Sequence, residues 1–146
     1  MKKIIHFLRI HATPDKVYGN LTTEEGLAGW WSTSVRVAPG VGEVTSFRFG
    51  GDFNPNMKQT RLEQNRLVEW RCVGGHENWL DNTFSFELRE SKGETDLMFV
   101  QVYAQELGDE LYGTYNFNWG YYLGSLKLLC EKGAGTPFKT PSAGDY

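Results

Sequence analysis

The chain has 146 residues, which suits one domain with a real core. Apolar residues make up 40% and aromatics 14%, while the formal charge is only −3. No basic stripe runs along the chain, so no nucleic-acid partner is expected. No stretch nears the roughly 18 apolar residues of a membrane span, so no membrane partner is expected either. Cys72 and Cys130 lie far apart and match no metal-ligand spacing, which reads as a reduced pair in a cytoplasmic protein. Lys2 and Lys3 ahead of Ile4 and Ile5 begin like a leader peptide, but His6, Arg9 and His11 interrupt the apolar run.

Residues 3–11 alternate as a strand, with Ile4, His6, Leu8 and Ile10 on one face and Ile5, Phe7, Arg9 and His11 on the other. The first set is the core face. Thr13 as N-cap and Pro14 at the first helical position open a short helix whose apolar residues are Val17, Tyr18 and Leu21. A second helix starts within residues 22–25 and turns Leu27, Trp30 and Trp31 inward. One of the two tryptophans is expected under the sheet edge and the other at the end of a cavity. From residue 32 to 104 the pattern is β. Strands are predicted at 34–37, 42–50, 57–64, 66–73, 83–90 and 94–104, separated by turn chemistry at Pro39 and Gly40, Gly50 to Asp52, Asn54 to Asn56, Asn65, and Ser91 to Gly93. Residues 74–82 form a polar loop carrying His76, Glu77, Asn78 and Trp79, and Trp79 reads as exposed there.

The last strand is apolar on both sides, with Leu97, Phe99, Gln101 and Tyr103 in one row and Met98, Val100 and Val102 in the other. Burial on both faces is one account of this, and a self-association surface is the other. Residues 112–131 then read as the single long helix. Tyr112, Tyr115, Trp119, Leu123, Leu126 and Cys130 recur at steps of three or four, Lys132 suits the C-terminal dipole, and Gly133 is the stop. Gly113, Gly120 and Gly124 within it are read as allowing close approach to the sheet. Residues 134–146 read as an extended tail to a single domain spanning 1–133. Short turns between successive strands favour an antiparallel meander, and a strongly curved sheet would supply the concave partner that the large aromatics of the helix require. The fold class is therefore α+β, a curved antiparallel sheet wrapped around a long C-terminal helix, with two short helices after the first strand.

Three stretches carry a resemblance. Ala12 to Tyr18, continuing through Leu21, Thr22, Trp30 and Trp31, is similar to an opening pattern of proline-led helix, leucine–threonine pair and paired tryptophan. Arg66 to Arg71 resembles a strand ending in tryptophan–arginine. Trp119, Gly120, Leu123, Ser125, Leu126, Lys127 and Glu131 to Gly133 resemble a closing helix. Together they resemble the SRPBCC superfamily (START-like or Bet v 1-like, with its helix-grip fold). Within it they are most similar to the family homologous to the C-terminal domain of the activator of the Hsp90 ATPase. Two departures stand out: the outward row Met98, Val100 and Val102 in place of a histidine or threonine row, and the longer, more polar loop at 74–79.

No nucleophile elbow, phosphate loop or paired-cysteine motif is present, and His6 and His11 face opposite ways, so no metal, cofactor or catalytic set is expected. The expected site is a cavity between helix and sheet. Its walls are Phe84, Phe86 and Phe99 from the sheet and Tyr115, Trp119 and Leu123 from the helix. Gln101, Tyr103 and Tyr115 are its polar handles, and Trp70, His76 and Trp79 its rim. The expected activity is non-catalytic binding of a hydrophobic or amphipathic small molecule. The resemblance implies a chaperone partner as the alternative, and more remotely a cyclase- or hydrolase-type enzyme using Tyr103 or His76. A homodimer through the last strand is the remaining partner expectation.

Overall fold

A computed structural model describes residues 1–139. Seven strands form one sheet: β1 (Lys3–Ile10), β2 (Ser34–Arg36), β3 (Val44–Arg48), β4 (Asn56–Glu63), β5 (Leu67–Gly74), β6 (Thr83–Ser91) and β7 (Glu94–Val102). Their order across the sheet is β1-β7-β6-β5-β4-β3-β2, antiparallel throughout. Strands β2 to β7 are thus a plain meander, and β1 closes onto its last member. The turns use the residues that such turns demand. Asn65 is left-handed between β4 and β5, and Lys92 with Gly93 adopt positive φ between β6 and β7. The sheet curves around the three helices: α1 (Pro14–Thr22), α2 (Glu24–Trp30) and the long α3 (Asp109–Lys132). This is the helix-grip arrangement expected from the pattern.

Alternation decides what is buried. Ile4 and Ile10 of β1, Val68 and Trp70 of β5, Phe84, Phe86 and Leu88 of β6, and Leu97 and Phe99 of β7 are all buried. On α3 the buried line is Trp119, Leu123, Leu126 and Cys130, while Tyr112 and Tyr115 remain half-buried. Gly133 ends α3 in the left-handed conformation, its N–H bonded to the Leu129 carbonyl. Thr13 stands at the N-cap of α1 but its hydroxyl caps no helix N–H, whereas the Thr23 hydroxyl accepts from Gly26 N at 3.0 Å and caps α2.

Several expectations change. The outer face of β7 is not buried: Met98 is 38% exposed and lies beside Phe7 and Ile5 of β1, themselves 62% and 57% exposed. The glycines of α3 do not serve close approach to the sheet. A Cβ at Gly113 or Gly124 would meet nothing within 4 Å, and one at Gly120 only His6 Cε1 at 3.5 Å, an ordinary contact. Close approach occurs on α2 instead, where a Cβ at Gly26 would sit 2.4 Å from the Asn20 Cα. The chain after α3 returns to the body: Phe138 N–H donates to the Trp31 carbonyl and Thr33 N–H to the Phe138 carbonyl. The remainder of the expected tail, 140–146, lies outside the described residues.

Candidate functional site

Four tryptophans meet where α2, β5, the 74–82 loop and α3 converge. The Trp31 ring stacks at 5.9 Å on Trp70, 6.3 Å on Trp79 and 5.1 Å on Trp119, with interplanar angles of 17°, 18° and 27°. Trp30 continues the series at 5.9 Å and 16°, and its indole N–H donates to the Asn20 carbonyl. Trp31 is therefore the hub of the aromatic core rather than a cap at its end. Aromatic edges close the same cluster, with Phe99 4.3 Å and Phe84 6.1 Å from Trp119, and Phe86 4.9 Å from Trp70. Phe84, Phe86, Phe99 and Leu123 are all at most 2% exposed. The space between mid-sheet and mid-helix is thus filled by side chains.

An opening of about 370 Å³ remains at one end of this cluster. Trp31, Trp79 and Trp119 form its floor. Tyr115, Asn118 and Tyr122 of α3 form one wall, Phe49, Asp52 and Phe53 from the turn after β3 another, and Phe138 and His76 complete it. The 74–82 loop reaches the opening because it folds inward. Its short 3-10 helix, Glu77–Trp79, buries Trp79 to 2% exposure against Phe53, Phe84 and Trp119. Trp79 is therefore a wall of the core, not an exposed loop residue. Gly75 makes the turn possible. It holds φ of +86°, and a Cβ there would fall 1.8 Å from the Asn54 carbonyl oxygen.

The polar groups at the opening form a chain with a defined sense. His76 Nδ1 lies 3.2 Å from the Asp52 carbonyl oxygen, which only accepts, so Nδ1 carries a hydrogen. His76 Nε2 lies 2.7 Å from the Tyr115 hydroxyl, which also accepts from Asn78 Nδ2 at 3.3 Å. The hydroxyl hydrogen of Tyr115 thereby points at His76. Behind the floor lies a second polar group. Trp119 Nε1 donates to Gln101 Oε1 at 2.8 Å, while Gln101 Nε2, Trp79 Nε1 and the Tyr103 hydroxyl are buried without partners. Burial pushes the Tyr103 phenol far up in pKa, and the neighbouring Trp79 and Gln101 offset only part of that. At neutral pH Tyr103 is thus a protonated phenol, unsuited to act as a base.

Of the residues expected to form the site, His76, Trp79, Tyr115 and Trp119 come together at the opening. Gln101 and Tyr103 lie behind it. Trp70 is fully buried in the core and does not stand at the rim, and Phe84, Phe86, Phe99 and Leu123 line no part of this opening. The structure adds Trp31, Phe49, Asp52, Phe53, Asn118, Tyr122 and Phe138. Phe49 and Phe53 flank the Gly50–Gly51 turn, and their aromatic character beside turn residues is the only local signal that pointed to them. Phe138 carried none.

The model of the family described as "Activator of Hsp90 ATPase homolog 1-like protein" matches residues 11–131. Among solved structures, the Aha1 dimer from Colwellia psychrerythraea is 35% identical, with a TM-score of 0.84 over 92% of this chain and 100% of that one. Protein MLL2253 from Mesorhizobium loti is 19% identical, with a TM-score of 0.77 over 88% of this chain and 96% of that one, and shares the fold. An AHSA1-like protein from Aeromonas hydrophila is 15% identical with a TM-score of 0.66, covering 86% of this chain and 90% of that one, and also shares the fold. No curated protein matches the chain. With the match spanning both short helices, β2 to β7 and nearly all of α3, the chain belongs to the family of activator of Hsp90 ATPase homolog 1-like proteins.

Proposed function

We propose that this protein is a binding module that holds a small, largely apolar molecule in the opening beside Trp31, Trp79 and Trp119. The observation that carries this reading is an aromatic-walled space of about 370 Å³ beside the buried tryptophan cluster. Its size falls at the lower end of small-molecule sites. Eight of its eleven lining residues are aromatic, and the His76–Tyr115–Asn78 chain holds one wall rigid without using a ligand atom. Thermal-shift measurements with a panel of apolar and amphipathic compounds, backed by native mass spectrometry, test the reading. A true ligand at ~100 times its Kd raises Tm by ~5 °C or more. A panel without any shift, together with bare protein in the mass spectrum, removes it.

The family match supports a second reading, a protein-interaction domain that stimulates a chaperone ATPase. Adding the chain to Hsp90 and following phosphate release reads it out, and an unchanged rate rejects it. Either activity is compatible with a dimer. The similar Colwellia protein is a dimer, and the outward row of exposed Ile5, Phe7 and Met98 with half-buried Val100 is the apolar surface that we assign to self-association.

A further inference from the structure

We infer that the aromatic opening selects an organic cation, an ammonium-bearing molecule rather than a carboxylate or phosphate. This deepens the small-molecule reading and rests on it. Three observations converge on the sign of the ligand. First, the faces of Trp31, Trp79 and Trp119 lie nearly parallel, Trp79 and Trp119 within 13°, and rings from Phe53, Tyr115 and Tyr122 surround the space they floor. An aromatic face carries the negative side of the ring quadrupole, so an ammonium group that meets these rings face-on is attracted and an anion repelled.

Second, Asp52 is the one carboxylate among the described residues that line the opening, and neither lysine nor arginine lines it. An anion there would lose its water without gaining a counter-charge, at a cost that a protein site normally avoids. An ammonium group would gain Asp52 at the mouth and the ring faces below. Third, the donors of the His76–Tyr115 wall are already committed, although Trp79 Nε1 in the floor is not. His76 Nδ1 is spent on the Asp52 carbonyl, and the Tyr115 hydroxyl on His76 Nε2. Little remains at this wall to donate to a carboxylate oxygen. The chain's formal charge of −3 adds a long-range field of the same sign as Asp52. The space accommodates a quaternary ammonium group with one attached ring, and the stacked indoles favour a planar one.

Titration calorimetry and the indole N–H resonances of the five tryptophans provide the test. The probes are benzyltrimethylammonium, neutral benzyl alcohol and anionic phenylacetate, each added to the full chain and to the Asp52→Asn variant. Asp52 is exposed, and the variant keeps the backbone carbonyl that His76 uses, so folding is retained. The expected result is that the cation binds ~10-fold or more tightly than phenylacetate. Asp52→Asn should weaken the cation several-fold and leave benzyl alcohol unchanged. Equal or tighter binding of phenylacetate or benzyl alcohol overturns the cation inference while leaving a small-molecule site in place. If no probe binds and no indole resonance moves, both the inference and the reading beneath it fall.

Discussion

Tyr103 lies in the core with its hydroxyl unpartnered, 1% exposed, beside two further orphaned donors on Trp79 and Gln101. A buried polar group without a bond carries its full desolvation penalty, about 1–3 kcal/mol. The ring itself packs against Tyr112 and Tyr115. Tyr103→Phe keeps that packing and removes the hydroxyl. The expected outcome is a protein more stable by about 1 kcal/mol in urea denaturation, with unchanged m-value. A loss of stability would mean that the hydroxyl is bonded in solution, through a water bridging it to Trp79 or Gln101. Tyr103 was identified from the sequence as a polar handle on the inner row of the last strand, and period-two alternation suffices for that. Whether its hydroxyl meets a partner depends on Trp79, a residue 24 positions away whose inward fold is set by Gly75 against Asn54.

At the scale of elements, the glycines separate two kinds of helix. In α2, Gly26 lies against the backbone of α1, and a Cβ at Gly29 would fall only 2.9 Å from Leu129 Cδ2 of α3. In α3, Gly113 and Gly124 face open space. Gly26→Ala must push two helix backbones apart and should cost at least the 1–3 kcal/mol typical of overpacking. Gly113→Ala and Gly124→Ala should each add about 1 kcal/mol, the helix propensity difference alone, because nothing opposes the new methyl. Thermal or urea unfolding of the three single variants measures this. Equal effects at all three positions would refute the contact geometry. Glycine spacing in the sequence cannot distinguish these cases. A glycine in a helix reads the same whether a neighbour crosses it or not, and the identity of that neighbour is a long-range fact.

For the whole molecule, the decisive surface is the outer face of β1 and β7. Phe7 pairs across the sheet with Met98, and Ile5 with Val100, which gives a contiguous apolar strip with solvent on its far side. If two copies pack there, sedimentation velocity finds a dimer at micromolar concentration, and Phe7→Glu converts it to monomer without unfolding it, since Phe7 is 62% exposed in the single chain. A wild-type protein that sediments as a monomer, or a dimer indifferent to Phe7→Glu, rejects this interface. The apolar double row of the last strand was visible in the sequence, but two-sided burial and an unpaired outer face produce the same letters. Only the absence of a covering layer among the described residues separates them.

The sequence by itself determined the seven strands, the two short helices, the long α3 and its stop at Gly133. These follow from local periodicity, turn residues and caps, whose physics acts over a few residues. It also determined the inward row of each strand and hence the aromatic core. The tertiary structure decided where that core stays open. Trp119 and Trp31 pack in the centre of the grip, so the aromatic-walled opening lies at one end, between Asp52, Phe53, Tyr122 and Phe138. Void and filling are set by how large side chains from distant segments meet, and that sum over shapes is not carried by any local pattern.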